Sequence, residues 1–258
     1  MNLFAYFQVG RTALSASQAA LDVAGNNIAN VNTPGFSRRR LDLTTLFPQR
    51  VAGGYIGQGV DVLSLHRVRD NFLAAQIQSG IGTRAGLEAR QQTLAGLEAV
   101  LGPLDGSPLA TALDRLSQAL SDVADSPENS GVRQAAVSAA GDLAAQLRST
   151  HDQISRSQQE ADAGIAATLP EVNRLTSKIA ALNSSIRQIQ AAGQEPSDLL
   201  DQRDQAVDDL AGLVAIHLVK AKDGSVSVAL NGGGGTLVSG STAYTVAAEP
   251  GASGLSSV

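Results

Sequence analysis

The sequence predicts a mainly α protein, elongated rather than globular, with long coiled-coil-like helices, a helical hairpin and a small β-hairpin region. Three observations predict it. Large apolar residues recur by sevens at Phe7, Leu14, Leu21 and Ile28. A second stripe, Val172, Leu175, Ile179, Leu182, Ile186 and Ile189, alternates spacings of three and four. Beyond Val214 the apolar period becomes strand-like. A sustained seven-residue repeat marks a helix made to lie along another helix.

Residues 1–36 read as an N-terminal helix and turn, the turn-bounded segment running from Leu3 to Phe36. Small residues (Gly10, Ser17, Ala24, Ala13, Ala20) and Asn27 flank its large ones and would let a partner approach closely. Burying four large side chains is worth roughly 6–12 kcal/mol, against an ordering cost on the order of 1–2 kcal/mol per residue. Such a helix is marginal alone and is expected to be ordered only against a partner. The plainer alternative is an amphipathic helix packed on its own domain. Pro34 is expected to stop it, and Thr33-Pro34-Gly35-Phe36 reads as a tight turn with Gly35 at positive φ.

Residues 37–68 read as an extended arm. Arg38 to Phe47 partly alternates, the Gly53–Gly59 stretch is a glycine-rich connection, and Val60 to Leu65 supports a second strand. The Arg38-Arg39-Arg40 run is expected to be a solvated face.

Residues 69–214 read as a helical bundle. The first helix runs from Arg69 to Leu101, weakened at Gly80, Gly82 and Gly86 and ended by Gly102-Pro103. Ser107-Pro108 opens the next, whose face is marked by Leu109, Leu113, Leu116 and Leu120. A break at Asp125–Asn129 precedes the longest helix, about Gly131 to Ala192, whose seam extends upstream through Leu143, Leu147, Ile154, Ala161, Ile165 and Leu169. Pro170 is expected to bend it. Gly193–Pro196 is a turn, and Ser197-Asp198 is expected to cap a return helix folding back antiparallel through Leu199, Leu200, Val207, Leu210 and Leu213.

Residues 215–248 read as β-hairpins with Asp223-Gly224 as one turn. Gly232–Gly235 lacks the Lys-Ser/Thr and helix start of a phosphate loop and reads as another turn. Glu249 to Val258 reads as a truncated linker.

Composition narrows the function. The 258 residues contain no Cys and no Trp, and 3% aromatics beside 43% hydrophobics, which suits Ala-rich helix contacts. Without Cys there are no disulfides and no thiolate chemistry. A net charge of −5 argues against a general nucleic-acid binder. No apolar run reaches the ~20 residues of a membrane span, and no cleavable signal peptide is visible. His66, His151 and His217 are isolated, and there is no nucleophile elbow. No catalytic, metal or cofactor site is expected. The acidic face of the return helix, Asp201, Asp204, Asp208 and Asp209 with Arg203, reads as a solvated, salt-bridged surface rather than a cation site.

Two segments carry a resemblance. Ala24-Gly25-Asn26-Asn27-Ile28-Ala29-Asn30-Val31-Asn32-Thr33-Pro34-Gly35-Phe36-Ser37 closely resembles the N-terminal signature of bacterial flagellar rod, hook and hook-associated axial proteins. Asp198-Leu199-Leu200-Asp201-Gln202-Arg203-Asp204-Gln205-Ala206-Val207-Asp208-Asp209-Leu210-Ala211 is similar to a segment of the hook-associated proteins of the hook–filament junction. The filament cap has a similar segment without the N-terminal motif, and rod and hook proteins have the motif without the long helical pair. The two together point to the junction family.

The resemblance implies a structural protein that polymerises helically through coiled coils. Its partners would be further copies of itself in a helical ring, the hook protein, a second junction protein and a flagellar export chaperone, with no nucleic acid and no membrane insertion. It would leave by the flagellar type III apparatus without a cleaved signal and reside in the extracellular flagellum. The assembly interface would comprise Phe7, Leu14, Leu21, Ile28, Asn27, Asn30, Asn32, Pro34, Gly35 and Phe36, and the arm at 37–68 would touch neighbouring subunits. Members of the family carry a C-terminal helix that pairs with the first one. Residues 215–258 supply no such helix, so the chain reads as a fragment of a longer protein. Alternatives are another axial subunit of the hook or distal rod, a cytoplasmic helical adaptor, and an enzyme with a helical lid over residues 215–248.

Overall fold

The computed structural model describes residues 3–51, 53–102, 107–250 and 256–257. Five helices dominate: α1 (Leu3–Ala29), α2 (Asn71–Leu101), α3 (Pro108–Asp125), α4 (Ser130–Ala191) and α5 (Ser197–Ala211). The mainly α expectation holds. The strands are β1 (Arg39–Thr45), β2 (Gln49–Val51), β3 (Gly54–Ile56), β4 (Val60–Arg67), β5 (Ile216–Lys220), β6 (Val226–Leu230), β7 (Thr236–Ser239), β8 (Thr242–Ala243), β9 (Glu249–Pro250) and β10 (Ser256–Ser257). The chain divides into two compact units, residues 1–83 with 171–245, and residues 84–170 with 246–258.

In the first unit the core lies between the C-terminal part of α4, the return helix α5 and the antiparallel meander β5-β6-β7-β8. The three-four spacing of Val172, Leu175, Ile179, Leu182 and Ile186 puts all five on one helical face, and all five are buried. Leu182 and Ile186 pack with Leu200, and Leu199 lies against the cluster, so α5 does return on α4. The β sheet contributes Val226, Val228, Leu237 and Val238. The Asp223-Gly224 turn and the glycine run at 232–235 are hairpin turns, the second closed by Leu230 N donating to Gly235 O at 3.0 Å. The strand expected at Ala243–Val246 is only the two-residue β8, because Tyr244 N still bonds Leu237 O but no further ladder follows.

The arm is a pair of antiparallel ladders, β1 with β4 and, at its tip, β2 with β3. A register shift between Asp42 and Leu43 bulges β1, which re-aims alternate side chains along it. Helix α1 lies against β1 and β4.

Two boundaries correct the sequence reading. Helix α1 ends at Ala29, five positions before Pro34. Val31 N bonds Ile28 O and Thr33 N bonds Asn30 O, so tightened turns over the asparagines unwind the helix before proline is reached. Helix α5 begins at Ser197 itself, with Pro196 at the cap position and no side-chain capping bond. Ser197 is buried and Asp198 lies in the first turn, where its charge suits the helix dipole.

In the second unit Ser107-Pro108 opens α3 as expected, with Pro108 in the first turn, and the Ser107 Oγ caps it by accepting from Ala110 N at 3.1 Å. The face of α3 differs. Leu109, Ala112, Leu116, Ala119 and Val123 are sheltered while Leu113 and Leu120 are exposed, because the true inward row takes alanines in place of two leucines. The upstream seam of α4 is half formed: Leu143, Ile154, Ile165 and Leu169 are partly buried, whereas Leu147 and Ala161 face solvent. Neither the glycines of α2 nor Pro170 of α4 interrupts its helix.

Pro103, expected as a helix stop, lies outside the described residues, as do positions 251–255 and 258 of the expected linker. Glu249 and Pro250 pair with Ser256 and Ser257 as short antiparallel strands.

Candidate assembly interface

The heptad stripe of α1 faces away from the rest of its unit. Phe7, Leu14, Leu21 and Ile28 are 71%, 73%, 72% and 75% exposed. The row turned inward is Thr12, Ala16, Ala19, Val23 and Asn27, again at spacings of three and four, with Ala16 fully buried. Small side chains let the helix lie close on the arm: Val9 and Thr12 sit against Gly59, whose φ of 106° and lack of room admit no Cβ. Helix α1 therefore has two unlike faces. It packs on its own arm through small residues and presents its large ones outward. Two hollows run along the outer side, one lined by Tyr6, Phe7, Gly10, Arg11 and Leu14, the other by Asn27, Ile28, Val31, Phe36 and Arg38.

The asparagine-rich end works within the chain. Asn27 Nδ2 donates to Arg39 O at 2.9 Å, and Arg39 N donates to Asn27 Oδ1 at 2.8 Å. Asn30 Nδ2 donates to Asn26 O at 3.0 Å, and Thr33 Oγ1 bonds Asn30 Oδ1. Asn32 and Pro34 are exposed. The expected tight turn is present, with Phe36 N on Thr33 O at 3.2 Å and Gly35 at φ 79°. Phe36 is half-buried, with the Arg39 guanidinium 5.3 Å from its ring centre.

The return helix is where the N-terminal region is tied down, which sequence reasoning missed. Asp201 Oδ2 accepts from Ser37 N at 3.2 Å, directly after the Pro-Gly turn. Arg67, at the end of β4, bonds Asp201 at 2.7 Å and Asp204 at 3.0 Å, and Arg69 reaches Asp204 at 3.0 Å. Arg39 pairs with Asp198, and Arg67 N donates to Glu195 Oε1. Asp201, Arg203 and Asp204 are buried, Asp208 is half-buried and Asp209 exposed, so the expected salt bridges are present but the face is solvated only toward Asp209. The Arg38–Arg40 run is likewise split. Arg39 is sheltered and paired, while Arg38 and Arg40 are exposed. Charges removed from water must be matched with good geometry, and here the arginines from the arm match carboxylates of α5.

Deeper in, Arg203 Nη1 donates to Gly224 O at 2.6 Å, and Asn183 holds the start of β6 by bonds to Val226 O and N and to Gly240 O. Burial lowers the Arg203 pKa, although Asp204 opposes the shift. Burial raises the pKa of Asp208, against the pull of Gln78 and Arg69. A cavity of about 210 Å³ is lined by Arg69, Asn71, Gln78, Asp204, Leu218 and Lys220. Lys220 donates to Asn71 Oδ1 at 2.7 Å. Among the described residues, no three His, Cys, Asp or Glu are grouped to hold a metal, and no helix is long and apolar enough to cross a membrane.

An outward apolar stripe, a Pro-Gly turn seated on an acidic return helix and a long helical pair thus occur in one chain. Residues 94–258 match the family described as the flagellar hook-associated protein FlgK helical domain. The chain belongs to the FlgK family. Residues 7–36 match a second family, the flagella basal body rod proteins. The flagellar hook-associated protein 1 of Escherichia coli K12 is 31% identical over 239 residues, 92% of this chain and 43% of the relative. That of Bacillus subtilis is 30% identical over 88% of this chain and 46% of its own length. The structure of the flagellar hook junction protein FlgK from Burkholderia pseudomallei superposes with a TM-score of 0.59 at 32% identity, over 68% of this chain and 31% of that one. This FlgK-family chain therefore spans under half the length of the relatives it matches.

Proposed function

We propose that this chain is a structural, non-catalytic subunit of the junction between flagellar hook and filament, and that it assembles by helical polymerisation through coiled-coil contacts of α1. The observation that carries this reading is the exposed stripe Phe7, Leu14, Leu21 and Ile28. An α-helix of 27 residues that leaves its four heptad residues in water forgoes roughly 6–12 kcal/mol of burial. That energy is recovered only when another helix covers them. Asn30, Asn32, Pro34, Gly35 and Phe36 continue the surface at its C-terminal end. The partners are further copies of the chain in a ring, the hook protein, a second junction protein and an export chaperone. The protein acts outside the cell after type III export without a cleaved signal. The match of residues 94–258 to the helical domain favours this role over that of a hook or distal-rod subunit.

The test is complementation in a hook-forming strain lacking the gene, with the natural full-length protein carrying Leu14→Ser and Leu21→Ser. Both sites are exposed, so the fold is expected to stay within about 0.5 kcal/mol of the parent. The expected result is normal hooks, flagellin shed into the medium and no motility. Full motility with the double variant would overturn the reading, and absent hooks would replace it with the hook or rod alternative.

A further inference from the structure

We propose that Asn27, acting through Arg39, is the positioning residue that fixes the pose of α1 on its unit and so the direction in which the apolar stripe is presented. The inference rests on the reading of that stripe as an assembly surface. Asn27 uses both halves of its amide on one peptide, donating to Arg39 O and accepting from Arg39 N at 2.9 and 2.8 Å. A two-point bond fixes rotation as well as distance, which a single hydrogen bond does not. It reproduces from a helix the exchange that one strand residue makes with its partner in a ladder.

Arg39 then carries the constraint onward. Its side chain is sheltered, pairs with Asp198 of α5 and covers the Phe36 ring. One residue is thus joined by its backbone to α1, and by its guanidinium both to the return helix and to the phenyl ring that follows the Pro-Gly turn. The next fastening is Ser37 N on Asp201. The rest of the inward row is short, Thr12, Ala16, Ala19 and Val23, with Thr12 against Gly59. They permit close approach but select a rotation weakly. Only asparagine supplies this pair of bonds at this reach. Aspartate of the same shape keeps the acceptor and sets a carboxylate against the Arg39 carbonyl, while alanine keeps neither bond.

The chain has no native Cys, so the pose is measurable with spin labels on Ser15→Cys in α1 and Gln202→Cys in α5, both exposed and off the stripe. The parent is expected to give one narrow distance distribution. Asn27→Asp is expected to broaden or shift it with unchanged helical signal and core melting, and to lose motility in the complementation assay. If Asn27→Asp loses helical signal, Asn27→Gln, which keeps the amide but not its reach, takes its place with the same expectation. A distribution as narrow as the parent's, or full motility despite broadening, overturns the proposal. Leu21→Ser is the control that separates the two ideas. Lost assembly with a narrow distribution supports the stripe alone, whereas normal assembly of Leu21→Ser sinks the stripe and leaves the distance result standing.

Discussion

Gly35 and Gln205 touch with no space for a methyl group: a Cβ on Gly35 would stand 2.7 Å from the Gln205 Oε1. The turn after α1 is therefore seated on the return helix, and the two segments that carry the family resemblance meet at this point. Gly35 also lies at φ 79°, where an L residue is strained by roughly 1–2 kcal/mol. Gly35→Ala is expected to destabilise the first unit by about 1–2 kcal/mol, read from the midpoint of denaturant unfolding, because the flexible Gln205 amide can swing aside and the conformational cost remains. Truncating the partner in the double variant Gly35→Ala, Gln205→Ala should therefore recover little of the loss.

Arg67 holds two carboxylates, Asp201 and Asp204, at 2.7 and 3.0 Å with all three side chains largely sheltered. Replacing it by Met keeps the stem and removes the charge, leaving Asp204 with Arg69 and the more distant Arg203, and Asp201, among the described residues, with the Ser37 amide. Breaking a buried pair from one side costs on the order of 3–5 kcal/mol. Partial solvent access and the remaining Arg69 pair place the expectation for Arg67→Met near about 3 kcal/mol. Arg40→Met, on an exposed side chain 3.5 Å from Asp42, is the matched control and should cost less than about 1 kcal/mol.

Much of the architecture was legible because it depends on period. The stripes of α1 and α4, the breaks between helices and the change to strand pattern after Val214 all follow from where large apolar residues recur. What escaped depends on contacts between distant segments. Ala16 and Ala112 are the buried residues of their helices, yet alanine gives no signal that distinguishes a packed face from an ordinary helix surface. The acids of α5 look solvated by spacing alone, and only the fold brings Arg39, Arg67 and Arg69 to them. Asn27 reads as part of an outward motif, but its amide is consumed by Arg39, a peptide twelve residues away.

Asn183 is wholly buried and bonds three backbone groups, Val226 O at 2.8 Å, Gly240 O at 2.6 Å and Val226 N at 3.1 Å. It is the polar peg that fixes the sheet on α4. Asn183→Leu is close in volume but leaves those groups without their partner. At about 1–3 kcal/mol for each buried polar group orphaned, the expected loss exceeds 3 kcal/mol. Hydrogen exchange should show the β6 amides losing protection while those of α3, in the other unit, keep theirs.

Asp208 gives a pH dependence of defined sign. Burial raises its carboxyl above the usual aspartate value of 3.8, outweighing the hydrogen bond from Gln78 and the attraction of Arg69, while Asp204 and Asp209 add to the rise. A folded-state pKa above the unfolded one means that the native protein binds the proton more tightly. The group's contribution is therefore favourable at pH below the unfolded value and is lost as pH climbs through the folded one. At neutral pH the carboxylate is a cost. Asp208→Asn keeps the shape and an acceptor for Gln78 without the charge. It is expected to raise unfolding free energy at pH 7, with the gain shrinking toward zero as pH falls below the ordinary carboxylate range. Chemical denaturation of parent and variant in parallel across acid to neutral pH checks it. A gain that stays constant with pH, or grows on acidification, would show that burial of Asp208 is not what shifts it.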